Sequence, residues 1–135
     1  MSYPVTAIEG IGPEEAVALK RVGIRTSVRL LEAAKSPKGR KQLAAKTGIN
    51  EKRLLECANM ADRMRIKGVG DDYAKLLRVA GVNTVRELKH RNAQKLAKAM
   101  AEANAKRKLV QFLPSHKAVE RWIDHARKLP LKITY

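Results

Sequence analysis

The stretch Ile8-Glu9-Gly10-Ile11-Gly12 returns 58 residues later as Ile66-Lys67-Gly68-Val69-Gly70. The register holds well past those five residues. Ala16 and Leu19 pair with Ala74 and Leu77, Gly23 and Thr26 with Gly81 and Thr84, and Leu30 with Leu88. Eight positions are identical across 8–31 and 66–89, and most are glycines or core-type residues, so one local structure is expected to be built twice. Glycines at the first and third positions of Gly-x-Gly let the backbone turn with no side chain in the way. Pro13 suits the first turn of a following helix, where its missing amide proton costs nothing. Val17, Leu19 and Val22 in one copy, and Leu76, Leu77 and Val79 in the other, give apolar stripes near helical spacing. Gly23 and Gly81 then stop these helices. A short second helix follows from Thr26 or Ser27 and from Thr84, where Thr84-Val85-Arg86-Glu87 has the order of a capping box.

The segments between and after the copies also read as helical. Ser36-Pro37 places a cap before a first-turn proline, and that helix runs through Leu43 to a stop at Gly48. Asn50 caps the next, with Leu54, Leu55, Ala58, Ala61 and Met64 spaced to bury one side. Asn92 starts another through Leu96 and Met100, with Lys108 to Phe112 continuing or restarting it. Pro114 interrupts, Ser115 caps, and Val119, Trp122, Ile123, Ala126 and Leu129 mark a last amphipathic helix before a short tail from Pro130 to Tyr135. No alternating strand pattern with a suitable turn occurs. One Phe, one Trp and three Tyr leave aliphatic side chains to fill the interior, which suits close helix crossings. An all-α chain is expected, a single helical domain over residues 1–135 whose halves pack on each other, because a lone helical hairpin buries too little.

Charge narrows the class of partner. Lys and Arg number 29 against 13 Asp and Glu, a net +16 that attracts polyanions. It is unevenly spread: residues 1–34 balance at four and four, whereas residues 35–70 carry ten basic and three acidic. The candidate contacts are Lys38, Arg40 and Lys41, then Lys52 and Arg53, then Arg63, Arg65 and Lys67, and finally Lys106, Arg107 and Lys108. Aromatic residues do not interleave with the most basic stretch, which favours the phosphodiester backbone over base stacking.

In Ile8-Glu9-Gly10-Ile11-Gly12-Pro13, with Ala16 and Leu19 after it, the chain resembles the helix-hairpin-helix motif, and it does so again from Ile66. More closely, it is similar to the bacterial family known as domain of unknown function 4332. The passages that carry this are Ile8–Leu31, Ser36–Leu54, Arg65–Leu88, Leu109–Trp122 with Leu113-Pro114-Ser115, and the closing Lys128-Leu129-Pro130 and Ile133-Thr134-Tyr135. The first resemblance implies tandem helix-hairpin-helix elements at 8–31 and 66–89, with linking and C-terminal helices packed as one compact domain. It also implies DNA binding without sequence reading, through backbone amides that hold a phosphate beside a helix N-terminus. By motif position those amides belong to Gly10, Ile11 and Gly12 and to Gly68, Val69 and Gly70. Glu14, Glu15, Asp71 and Asp72 depart from the pattern, since acids in the first turn compete with phosphate for the same positive end. The basic flank of Arg63, Arg65 and Lys67 makes the second copy the stronger candidate grip.

Other classes find little in the residues. His90, His116 and His125 are far apart and Cys57 stands alone, so no metal-ligand spacing arises and no metal or cofactor is expected. Gly10-Ile11-Gly12 lacks the third glycine, preceding strand and distal acid of a dinucleotide loop. Ser115 reads as a cap and Cys57 as a small buried apolar residue. A lone cysteine fits the reducing cytoplasm, and the start at Met1-Ser2-Tyr3-Pro4 does not resemble a signal peptide. No apolar run approaches the roughly 20 residues of a membrane span. The expectation is a non-enzymatic protein that binds nucleic acid, DNA ahead of RNA, through phosphates; the alternative is a scaffolding module for an acidic protein partner.

Overall fold

The computed structural model describes residues 2–8 and 10–135, and readings that fall on Met1 and Glu9 lie outside it. The described residues form eight α-helices, one 3-10 turn and one isolated antiparallel bridge between Pro4 and Thr26, with no strand. They group into two compact units, residues 1–62 with 132–135, and residues 63–131.

The first unit holds the 3-10 turn Val5–Ala7, α1 (Pro13–Arg21), α2 (Ser27–Ala34), α3 (Pro37–Thr47) and α4 (Glu51–Arg63), whose last residue opens the second unit. Its helix starts are set by short polar side chains that accept otherwise orphaned amides. Thr26 Oγ1 takes Arg29 N at 3.2 Å, Ser36 Oγ takes Gly39 N at 3.1 Å, and Asn50 Oδ1 takes Arg53 N at 2.7 Å. Val5, Ile8, Leu19, Leu30 and Leu54 are fully buried. Val17 departs from the expected stripe and is 49% exposed, because Ala16 and Leu19 take the inward face of α1 and leave position 17 outside.

The second unit holds α5 (Asp71–Val79), α6 (Val85–Leu88), α7 (Ala93–Arg107) and α8 (His116–Lys128). Helix α7 packs on α5 and α8, and α6 packs on α8. Leu76, Leu77, Leu88, Leu96, Met100 and Val119 are buried there. Lys108 to Phe112 does not extend α7. Lys108 adopts a left-handed φ of 52° and closes the helix on Asn104 O at 2.7 Å. The Asn104 side chain then brackets Val110, accepting from its amide at 3.0 Å and donating to its carbonyl at 3.1 Å. That bracket turns the chain out of the helix before Ser115 Oγ caps α8 by accepting from Ala118 N at 3.1 Å.

Backbone hydrogen bonds recur in the two units at the same offset as the sequence. Ile11 N donates to Ile8 O at 2.9 Å and Val69 N to Ile66 O at 3.0 Å. Helices α1 and α5 begin with Ala16 N to Gly12 O at 3.0 Å and Ala74 N to Gly70 O at 2.9 Å. They end with Ile24 N to Leu19 O at 2.9 Å and Val82 N to Leu77 O at 2.8 Å. Gly23 and Gly81 sit at φ 86° and 100°, a backbone region that strains a residue with a side chain, so glycine is favoured at both exits.

The flanks of the two copies differ. Val5 N donates to Arg25 O at 2.9 Å in the first unit. In the second, the residue at the position of Val5 is Arg63, and its side chain does this work: Nη1 donates to Asn83 O at 2.9 Å. Nε of the same guanidinium donates to Ala74 O, also at 2.9 Å.

Candidate nucleic-acid interface

The two Gly-x-Gly turns differ in what reaches their amides. At the first, Gly12 N donates to Glu15 Oε1 at 3.0 Å. Glu15 is in turn held by Arg53, with Nε to Oε2 at 2.8 Å and Nη2 to Oε1 at 2.9 Å, and Nη2 also donates to the Gly10 carbonyl. The side chain of Glu15 therefore occupies the anion position at the start of α1, and a guanidinium neutralises it. The hydrogen bond from Arg53 holds the Glu15 carboxyl below its usual range, against burial, with help from the Gly12 amide. The middle amide, Ile11 N, already closes the turn, and Ile11 is buried.

Tyr73 stands at the position of Glu15 in the second copy, so no carboxylate reaches back. The amides of Gly68 and Gly70 have no acceptor among the described residues, whereas Val69 N closes the turn and Val69 is buried. Tyr73 turns aside, donating its hydroxyl to Phe112 O at 3.0 Å and packing on Trp122 with ring centroids 5.3 Å apart. Asp71 and Asp72 begin α5 here, and Asp72 is exposed.

The glycines are not equivalent. Gly68 has φ 90°, and a Cβ there would lie 3.2 Å from Trp122 Nε1. At Gly70 a Cβ would meet nothing within 4 Å, and at Gly12 it would meet only Glu15 Oε1 at 3.7 Å. The expectation that the third glycine must be free of a side chain is therefore corrected: both are extended N-cap residues with room for one.

The candidate basic residues divide by environment. Arg40 and Arg63 are 5% and 2% exposed. Arg40 spends its guanidinium on Ala34 O at 2.9 Å and Thr134 O at 2.8 Å, and Arg63 spends its own on Ala74 and Asn83, so neither presents charge to a ligand. Arg53 serves Glu15, and Arg65 Nη2 donates to Pro130 O at 2.7 Å. Lys38, Lys41 and Lys52 are exposed in the first unit. In the second, Lys67 is exposed beside Gly68, and Lys106, Arg107 and Lys108 are exposed on the lead into the loop that Tyr73 holds.

Residues not singled out from sequence complete this surface. Arg121 is exposed and His125 half-buried on α8, where Lys67 N donates to His125 Nδ1 at 3.1 Å. Their spacing with Ala118 and Trp122 on one helical face was the available signal. Among the described residues no group of His, Cys, Asp and Glu could hold a metal ion, and no helix is long and apolar enough to cross a membrane.

Fold and site together define an all-helical protein with a glycine hairpin built twice, one copy closed by its own carboxylate and the other open. The chain belongs to the family described as Domain of unknown function (DUF4332), whose profile matches residues 9–129. No curated protein and no solved structure matches it.

Proposed function

We propose that this is a non-catalytic, cytoplasmic nucleic-acid-binding protein of helix-hairpin-helix type, whose second hairpin grips backbone phosphate with little regard to base sequence. One observation carries the reading: the Gly12 amide is occupied by Glu15, whereas the Gly68 and Gly70 amides are without an acceptor among the described residues. An amide pair beside a helix start is suited to a phosphate oxygen. Lys67 beside it, with Lys106, Arg107 and Lys108 on the neighbouring loop lead, supplies the charge that Asp71 and Asp72 oppose. DNA is favoured over structured RNA. The first hairpin serves the scaffold.

Fluorescence anisotropy against duplex DNA, single-stranded DNA and duplex RNA at several salt concentrations tests this. Phosphate contacts predict a linear fall of log K with log salt, with a slope of about 0.9 per phosphate on duplex DNA. Gly70→Pro removes the amide without changing charge and should weaken binding by about 1.5 kcal/mol or more, while Gly70→Ala keeps the amide and should bind as the parent does. Gly12→Pro should leave affinity unchanged once the variant is shown to be folded. Flat titrations for all three nucleic acids at about 0.15 M salt would overturn the reading and leave the basic surface to an acidic protein partner.

A further inference from the structure

Beside the open hairpin, within the second unit, lies a pocket of about 560 Å³ lined in part by Lys67, Gly68, Tyr73, Arg121, Trp122 and His125. Its charged lining is cationic, and its acceptors, Ser115 Oγ and His125 Nδ1, already take the Ala118 and Lys67 amides. The Lys67 and Arg121 side chains are exposed, and the Gly68 amide has no acceptor among the described residues. His125 Nδ1 accepts from Lys67 N, which leaves Nε2 as the donor of the neutral ring. No carboxylate lines the pocket; Glu120 and Asp124 lie on another face of α8, beside Arg91 and Arg127.

Trp122 supplies the second observation. The residue is 4% exposed, yet its indole N–H donates to no group among the described residues. Nε1 lies against Gly68 at the pocket, and it is not among the fully enclosed unsatisfied atoms. A nearly buried donor without an acceptor is a standing cost unless something outside the chain accepts from it. Gly68, at φ 90°, keeps the approach clear: a Cβ would sit 3.2 Å from that nitrogen. The remaining wall is formed by the Tyr73 ring with Leu113, Pro114, Ser115 and Ala118, apolar except for the Ser115 hydroxyl.

We propose that this pocket binds a phosphate monoester borne on an organic body of nucleotide size. The phosphate would accept from the Trp122 N–H and the Gly68 amide between Lys67 and Arg121, with its organic group against Tyr73, Leu113 and Pro114. A volume in the range of small-ligand sites accommodates such a molecule. Two sources share this chemistry, a free mononucleotide and the phosphorylated end of a nucleic-acid strand. The inference stands apart from the phosphodiester grip and shares Lys67 and Gly68 with it.

Trp122 is the chain's one tryptophan, so its fluorescence reports on the pocket directly. The full chain is titrated with adenosine 5′-monophosphate, adenosine and inorganic phosphate, and with one oligonucleotide carrying either a 5′-phosphate or a 5′-hydroxyl. A saturable change with the monophosphate is expected, about tenfold or more tighter than with adenosine or phosphate alone. If strand ends are the source, the 5′-phosphorylated oligonucleotide binds tighter than its 5′-hydroxyl twin and is displaced by the monophosphate. If free nucleotides are the source, the monophosphate saturates and the two oligonucleotides bind alike. Arg121→Gln, at an exposed position, should weaken monophosphate binding about tenfold without altering the melt. Trp122→Phe removes the donor, and its loss of binding is read by equilibrium dialysis of labelled nucleotide. No saturable response to the monophosphate or the phosphorylated strand, or equal responses to adenosine and its monophosphate, would overturn the proposal. The phosphodiester reading fails separately, in the salt titrations of duplex lacking terminal phosphate.

Discussion

Glu15 and Arg53 lie 38 residues apart and meet through two hydrogen bonds of 2.8 and 2.9 Å, and the oxygen at 2.9 Å also accepts the Gly12 amide. The side chains are 23% and 28% exposed, so water screens the pair only in part. Glu15→Gln should lower the free energy of unfolding by about 1–2 kcal/mol, measured by urea titration. The same pair gives a pH dependence. The Glu15 carboxyl titrates below the 4.5 of an unperturbed glutamate, so its stabilisation is present above that value and is lost as pH falls through the lower folded one. In Glu15→Gln that part of the acid limb should vanish. Parallel loss of stability in parent and variant between about pH 5 and pH 2 would contradict it.

Arg63 should matter to stability and Lys67 should not. Arg63→Ala leaves the carbonyls of Ala74 and Asn83 without this donor in a buried place, which should cost about 3 kcal/mol. Arg63→Lys should recover less than half, since an ammonium lacks the guanidinium fork that spans two acceptors. Lys67→Ala should stay within about 0.5 kcal/mol of the parent and show its effect in nucleic-acid affinity.

Gly68 and Gly70, two residues apart, should respond oppositely to alanine. Gly68→Ala forces a side chain into left-handed backbone against the indole and should lose about 1–2 kcal/mol. Gly70→Ala enters open space from an extended backbone and should be neutral or slightly stabilising through the unfolded chain. Equal losses in thermal melts would contradict this difference.

Burial pushes the Cys57 thiol up to about 11. Native protein should therefore react with a thiol reagent at about pH 8 only as fast as the helix opens, and denaturant should release one fast equivalent. Fast stoichiometric labelling of the native protein would contradict it.

The caps at Thr26, Ser36, Asn50, Asn92 and Ser115 and the stops at Gly23, Gly48 and Gly81 were legible because each depends on residues a few positions apart, and the repeat because its two copies carry the same residues in the same order. The side chains that decide the site were not. Arg40 and Arg63 read as surface charge, since nothing nearby in sequence announces that a guanidinium will cap distant carbonyls. Glu15 read as a first-turn acid competing with phosphate, but its engagement with the Gly12 amide and with Arg53 depended on placing α4 beside the first turn. Trp122 read as core, which its burial supports; that its N–H would lie against Gly68 with no acceptor among the described residues needed the fold.

The contact of Arg40 with Thr134 O spans 94 residues. A ribosome adding about 5–20 residues per second reaches Thr134 roughly 5–20 s after Arg40. Until then one face of that guanidinium has no protein acceptor, although the helices around it have long been made. The first unit thus finishes only after the second has been translated, although most of it precedes that unit. Its last step is a clasp between Arg40 and a segment translated after the whole of the second unit.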